Sequence, residues 1–369
     1  NHDTRSPHPV RPALRRLWLQ LHRWTALSFG WLLALVALLG AALVVAPALD
    51  HGANPQLFHA SHVPGAASAP LEPIRRAVVG EFGPSSSLTM RPPREAGDTL
   101  WVRVRSSSWN GTVYFDPATG SEQGRRGQHE GAYNLLFELH SELLMGEGGK
   151  AVLAIMAVAY VVLLLGGLVL WWPRRWPPRL RVEWRQGLLR ALFDLHRTVG
   201  ALMGVLILVS IVTGAYMAWA PMRGWVSQLA GQAPVSAPKQ VSPAPAGQPP
   251  MALDALVARA QSVFPGAAIG YIHASGQATR PVQVRLQLPD DPHPNGRSTV
   301  YLHPATGEVL AAHRWNELDL GARAVSVMYP LHTGTLGGPL HELITALTGL
   351  SLTALGGSGL WLWWRRRRR

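Results

Sequence analysis

Apolar residues are distributed unevenly along the chain. Residues 24–49, 151–173, 198–222 and 343–364 contain no Asp, Glu, Lys or Arg, and each stretch exceeds the roughly 20 residues a helix needs to cross a bilayer. One such run would suit a buried core helix, but four predict membrane helices. Between them lie two polar regions, 50–149 and 223–342, each long enough for a small domain with its own core. The first shows helical periodicity over 74–82 and strand alternation over 100–105 and 112–115. The second reads as a helix over 253–264 followed by strands over 268–273, 282–288, 298–303 and 308–313. Residues 232–250, rich in Pro and Ala, read as a flexible linker.

Arginine sets the expected orientation. Arg11, Arg15, Arg16 and Arg23 precede the first span; Arg174, Arg175, Arg179, Arg181, Arg185 and Arg190 fill the loop between the second and third; Arg365 to Arg369 follow the fourth. The positive-inside rule places all three clusters in the cytoplasm and both polar regions on the other side, with the first span a retained anchor. The segmentation expected is transmembrane helix 1 over 11–49, a periplasmic domain over 50–139, helix 2 and its approach over 140–173, and a cytoplasmic loop over 174–190. It continues with helix 3 over 191–222, a periplasmic linker and second domain over 223–331, helix 4 and its approach over 332–364, and an arginine tail over 365–369.

The net charge of +13 is thereby mainly topology, and nucleic acid is excluded as a partner because the arginines flank apolar helices beside Trp171, Trp172, Trp363 and Trp364, where lipid headgroups lie. The chain has no cysteine, which removes disulfides, thiolate chemistry and cysteine-ligated clusters. A redox centre would have to use histidine, with or without methionine.

The two halves repeat. At an offset of 174, Leu21-His22-Arg23 maps onto Leu195-His196-Arg197, Gly30 onto Gly204, and Gly40-Ala41 onto Gly214-Ala215. At an offset of 192, Leu139-His140 maps onto Leu331-His332, Gly146 onto Gly338, Gly167 onto Gly359, and Trp171-Trp172 onto Trp363-Trp364. The polar regions share VYFDPATG (113–120) and VYLHPATG (300–307), a strand running into a turn. The fold class expected is an α-helical membrane protein: a four-helix bundle from two tandem repeats, with two periplasmic α+β domains.

Four of the fifteen histidines occupy repeated positions beside the spans. Helix direction sorts them into an inner pair, His22 with His196, and an outer pair, His140 with His332, each taking one imidazole from each half. Two facing imidazoles at one depth are what a low-spin haem b requires, so two pairs predict two haem b groups. Gly167 and Gly359 fall near the inner pair; Gly40 and Gly214, five helical turns beyond His22 and His196, fall at the outer depth. These glycines serve either haem clearance or plain helix packing. Arg23 and Arg197 are candidate propionate partners beside their role in topology. His341, nine residues after His332, reads as structural. His59, His62, His129, His273, His293, His303 and His313 have no repeated partner and are assigned to exposed domain positions, some available to substrate. Metal transport is disfavoured, since intramembrane metal sites recruit carboxylates or sulfur and the four spans lack acidic residues.

LHRWTALSFGW from Leu21, ELHSELLMGEGG from Glu138, DLHRTVGALMG from Asp194, PLHTGTLGG from Pro330, and the helix ends GLVLWWPRR and GLWLWWRRRRR together resemble the PepSY-associated transmembrane family. The resemblance implies that the polar domains are PepSY-like α+β units. It further implies that the chain is an inner-membrane ferric-siderophore reductase, delivering electrons to Fe(III) so that iron is released in the periplasm. No dinucleotide fingerprint or flavin motif is present, so a quinol or a separate reductase would be the electron donor. Two other readings stay open: a non-enzymatic, membrane-anchored protein that binds a periplasmic peptide or siderophore, and di-haem electron transfer to another acceptor.

Overall fold

The computed structural model describes residues 12–62, 67–173, 180–242 and 250–367. Arg11, Arg174, Arg175, Arg179, Arg368, Arg369 and linker residues 243–249 lie outside the described residues. In chain order the described helices are α1 (Pro12–Ala53), α2 (Pro55–Phe58), α3 (Leu71–Phe82), α4 (Ala132–Glu142) and α5 (Glu147–Trp171), then α6 (Leu188–Ala218), α7 (Pro221–Leu229), α8 (Leu253–Val263), α9 (Leu320–Thr333) and α10 (Gly338–Arg367). The strands are β1 (Ser87–Arg91), β2 (Leu100–Arg105), β3 (Asn110–Phe115) and β4 (Glu122–Gly127), then β5 (Ala268–Ser275), β6 (Val282–Gln287), β7 (Ser298–Leu302) and β8 (Val309–His313). The chain divides into a helical unit, residues 1–44, 136–219 and 331–369, and a sheet unit, residues 45–135 and 220–330.

Among the described residues, α1, α5, α6 and α10 of the helical unit are the four helices long and apolar enough to span a membrane. Their outward faces carry residues such as Leu35, Val158, Val205 and Leu347, all exposed as a lipid-facing surface requires. Contacts run in a closed ring: His22 of α1 against Gly166 of α5, α5 against α6, α6 against α10, and Gly349 and Gly356 of α10 against the backbone of α1. The centre is filled by Leu33, Met156, Tyr160, Ile207 and Leu352, and the Tyr160 hydroxyl donates to the Gly204 carbonyl at 3.0 Å.

His140 and His332 are not on the spanning helices. They lie at the ends of the separate helices α4 and α9, and the chain breaks before α5 and α10 at two repeated glycines. Gly146 (φ 56°, ψ −131°) and Gly338 (φ 62°, ψ −154°) adopt a conformation open essentially only to glycine. The expected segments 140–173 and 332–364, each a helix with its approach, are divided at these glycines.

The sheet unit holds one eight-stranded antiparallel sheet in the order β4-β3-β2-β1-β5-β6-β7-β8. Two domains were expected; instead each half supplies one helix and a four-strand meander, and the meanders join through β1 and β5, with Leu88 opposite Ala274 and Met90 opposite Ile272. Strand alternation puts Leu88, Met90, Val102, Val104, Val113, Ile272, Val284, Leu286, Val300 and Leu302 on one face, against Ile74 and Val78 of α3 and Leu256, Val257 and Ala260 of α8. The opposite face carries Arg91, Trp101, Arg103, Tyr271, His273, Arg285 and Tyr301, the alternate positions of the same strands.

The two sheet helices cap each other. Asp254, in the first turn of α8, accepts the backbone N–H groups of Leu71 (2.8 Å) and Glu72 (3.0 Å); Glu72, in the first turn of α3, accepts the N–H of Leu253 (3.0 Å). Burial alone would push the Glu72 carboxyl up, but its bonds from Arg75, Arg76 and Leu253 outweigh this and hold it at about 2, against an ordinary 4.5. Ionised Glu72 therefore stabilises the sheet unit fully above its unfolded-state value, and this contribution disappears as pH falls from 4.5 towards 2. Chemical denaturation of the full chain should show stability dropping through that window, and Glu72→Gln should flatten the drop. An unchanged pH dependence in the variant would count against the capping role.

The repeated turns are built alike although their first residues differ. Asp116 Oδ1 accepts the N–H groups of Ala118 (2.9 Å) and Thr119 (3.1 Å). In the other half His303 Nδ1 accepts those of Ala305 (3.1 Å) and Thr306 (3.3 Å), while its Nε2–H donates to the Ser242 carbonyl at 3.0 Å. His303 is thus buried in a structural role, as is His293, stacked on Tyr329 at 4.6 Å. The exposed assignment was wrong for both, because a histidine ring serves as a turn acceptor that no apolar pattern reveals. Burial, with Arg285 and Arg297 nearby, lowers His293 to about 3 and keeps it neutral.

Candidate functional site

The helical unit brings the four repeated histidines together in two pairs. His22 of α1 and His196 of α6 have ring centroids 6.4 Å apart with planes crossing at 89°. His140 of α4 and His332 of α9 have centroids 6.0 Å apart with planes at 36°.

Every ring is anchored through Nδ1. His22 donates to the Leu163 carbonyl of α5 (3.0 Å), His140 to the Val36 carbonyl of α1 (2.9 Å), and His332 to the Ser210 carbonyl of α6 (2.8 Å) with Thr213 Oγ1 beside it (3.1 Å). His196 donates to Ser358 Oγ (3.0 Å), whose own proton goes to the Leu355 carbonyl (3.2 Å). A carbonyl can only accept, so Nδ1 carries the proton and Nε2 keeps its lone pair, the state in which imidazole ligates a metal.

A glycine faces each anchored ring. Each lies four residues beyond the carbonyl to which its histidine is tied, directly or through Ser358: Val36 and Gly40, Leu163 and Gly167, Ser210 and Gly214, Leu355 and Gly359. A Cβ on Gly40 would stand 2.7 Å from Cε1 of His140, and one on Gly214 the same distance from Cε1 of His332. On Gly167 and Gly359 it would stand 3.5 and 3.4 Å from the corresponding carbons of His22 and His196. The carbonyl acceptors and Gly166, whose added Cβ would lie 3.2 Å from Cβ of His22, went unnoticed in sequence, since a backbone acceptor leaves no residue signature. The one available signal was the repeat of glycine on helix faces opposite histidine.

Metal–imidazole bonds of about 2.0–2.1 Å, extending from rings whose centroid-to-atom radius is about 1.15 Å, put two rings across one metal about 6.4 Å apart. The His22/His196 centroids match that spacing, and the His140/His332 centroids lie about 0.4 Å closer. Among the described residues no group of three or more His, Cys, Asp or Glu converges to hold a bare metal ion. Two nitrogen donors in an apolar bundle instead suit a metal that brings its own equatorial ligands, as haem iron does. Eighteen residues of α1 separate His22 from Gly40, about 27 Å of helix, with the packed layer of Leu33 and Tyr160 between the pairs.

Arg23 is exposed, its guanidinium 5.4 Å from the Trp24 ring. Arg197 is partly buried 4.0 Å from the fully buried carboxylate of Asp194, which also takes Arg190 at 2.9 Å. The repeat equivalent of Asp194 is Gln20, so the two arginines differ in setting. His341 accepts the Gly337 N–H at 3.3 Å in the first turn of α10, a local cap. No curated protein matches the chain. The sequence profile of the PepSY-associated TM region matches residues 19–366, nearly the whole chain, and spans both histidine pairs and both halves of the sheet. The protein is therefore a membrane protein that belongs to the PepSY-associated transmembrane family.

Proposed function

We propose that this chain is a di-haem b-type cytochrome of the bacterial inner membrane that passes electrons outward to reduce a ferric siderophore in the periplasm. The observation supporting this reading is the pairing of four histidines, each with Nδ1 anchored and Nε2 available, at the spacing of two imidazoles across one metal. Haem b bound at each pair supplies a one-electron Fe(III)/Fe(II) couple. The protein's part is to hold the imidazoles, exclude water and set potential through ligation and burial. Leu163, Val36, Ser210 and Ser358 fix the ring planes, and the anchoring bond to Nδ1–H raises the basicity of Nε2.

With both termini cytoplasmic, His22 and His196 lie on the inner side, where a quinol or a reductase donates, and His140 and His332 lie on the outer side. Their separation of about 27 Å covers most of a hydrocarbon core about 30 Å thick. The Fe(III) substrate takes one electron, and Fe(II) is held less firmly by hard oxygen donors.

Purified protein expressed with adequate haem should show b-type Soret and α bands, and its dithionite-reduced form should be reoxidised by a ferric siderophore. Absence of the bands would overturn the cytochrome. Bands without reoxidation by any ferric siderophore would overturn the acceptor alone. Electron paramagnetic resonance of the oxidised protein should resolve two low-spin signals, more anisotropic for His22/His196 than for His140/His332. Ligand planes at 89° leave two iron d orbitals nearly degenerate, whereas planes at 36° split them.

A further inference from the structure

Within the sheet unit, α7 and the start of α9 border an open cavity of about 210 Å³ lined by Arg223, Ser227, Val235, Arg297, Asp319 and Ala322. Its walls are set by close packing. Gly321 lies so near the Arg223 carbonyl and Ser227 Oγ that a Cβ there would overlap both, and its N–H donates to Ser227 Oγ at 3.0 Å.

Two cations face this space without a counter-charge bonded to either. Arg297 Nε is buried and has no acceptor, while its Nη2 donates a long hydrogen bond to the Ala322 carbonyl at 3.5 Å. Burial, then the charge of Arg223, pushes the Arg297 guanidinium down. The neighbouring carboxylates are spent on other groups. Asp319 accepts the Ser227 hydroxyl and the N–H groups of Val235 (3.1 Å) and Ala322 (3.1 Å). Asp291 accepts the backbone N–H groups of His293 (3.0 Å) and Arg297 (2.5 Å). Among the described residues neither guanidinium has a carboxylate within ion-pair distance. Two mutually repelling, partly buried arginines are unfavourable unless an anion joins them, because Asp291 and Asp319 attract Arg297 without bonding to its guanidinium and neither arginine has a paired counter-charge among the described residues.

We propose that this cavity binds a phosphate oxyanion between Arg223 and Arg297. Guanidinium forks match tetrahedral oxyanions by paired N–H donors. The space admits such a group with part of what it is esterified to, since one water needs only about 10–15 Å³ on the same measure. A lipid headgroup is one source. Helix α7 begins three residues after α6 ends, and its Trp225 and Leu229, one turn apart, are 53% and 89% exposed, the pattern of a helix lying in a bilayer interface. Free phosphate is the other.

The test uses the full chain, purified in detergent and delipidated, titrated calorimetrically with inorganic phosphate and with phosphatidylglycerol in mixed micelles. Saturable binding of phosphate alone assigns a soluble ligand; binding of the lipid but not of phosphate assigns a headgroup; either supports the proposal when R223Q and R297Q each weaken it by about tenfold or more. R280Q, which removes an exposed arginine elsewhere on the sheet unit, should leave the affinity unchanged. No saturable binding of either probe, or equal affinity in wild type and both variants, overturns the proposal. Should R297Q fail to fold, R223Q decides alone, because that side chain is only partly buried.

Discussion

Replacing His140 or His332 by alanine is expected to remove one of two haems and leave the other, and replacing His22 or His196 is expected to remove the complementary one. The reason is geometric. The rings of each pair lie 6.0 or 6.4 Å apart, whereas the pairs are separated by about 27 Å of helix and a packed apolar layer, so loss at one end leaves the other pair's anchors intact. A haem held by such a pair would lose one of its two protein ligands, and among the described residues no group of three or more His, Cys, Asp or Glu offers a replacement. The haem-to-protein ratio and the reduced-minus-oxidised spectrum check this directly. Loss of both haems from every variant would undo the pairing, and retention of both would refute these histidines as ligands.

Gly40→Ala and Gly214→Ala should have nearly the same effect as losing His140 and His332, although neither glycine has a group that could touch iron. An added Cβ would sit 2.7 Å from an imidazole carbon, closer than carbon atoms approach in folded proteins. The ring cannot simply swing away, because its Nδ1 is tied to a carbonyl one turn back on the same helix, at 2.9 Å for Val36 and 2.8 Å for Ser210. Moving it leaves that donor unpaired in an apolar setting, at a cost of about 1–3 kcal/mol, and misaligns Nε2. Gly167→Ala and Gly359→Ala meet only ordinary contacts of 3.5 and 3.4 Å and should retain near wild-type haem content. Four single alanines thus give a graded set read by the same spectrum. Equal effects from all four would show that the glycines matter for helix packing alone.

The four spans were legible because a charge-free run longer than 20 residues has few other uses. The histidine pairs were legible because they recur at fixed offsets. Three features were not. β4 reads EQGRRG, an edge strand with no apolar alternation, and β1 is five residues long with only Leu88 and Met90 as signal, so the first meander showed two strands where four exist. The β1–β5 pairing joins strands nearly two hundred residues apart through backbone hydrogen bonds, to which side-chain patterns are blind. His140 and His332 lie beside the spans as expected, but the breaks that make α4 and α9 separate helices depend on glycine dihedrals at Gly146 and Gly338 that the letter G permits without announcing.

The central β1–β5 seam also bears on how this chain can be divided. A half-length product ending after α5 would present β1 as a raw edge, with Leu88 and Met90 stripped of Ala274 and Ile272 beside them, and α3 would lose the carboxylate of Asp254 that ends its backbone. Gene fission at the midpoint should therefore yield two insoluble fragments when expressed apart, and a working protein only when both are made in the same cell.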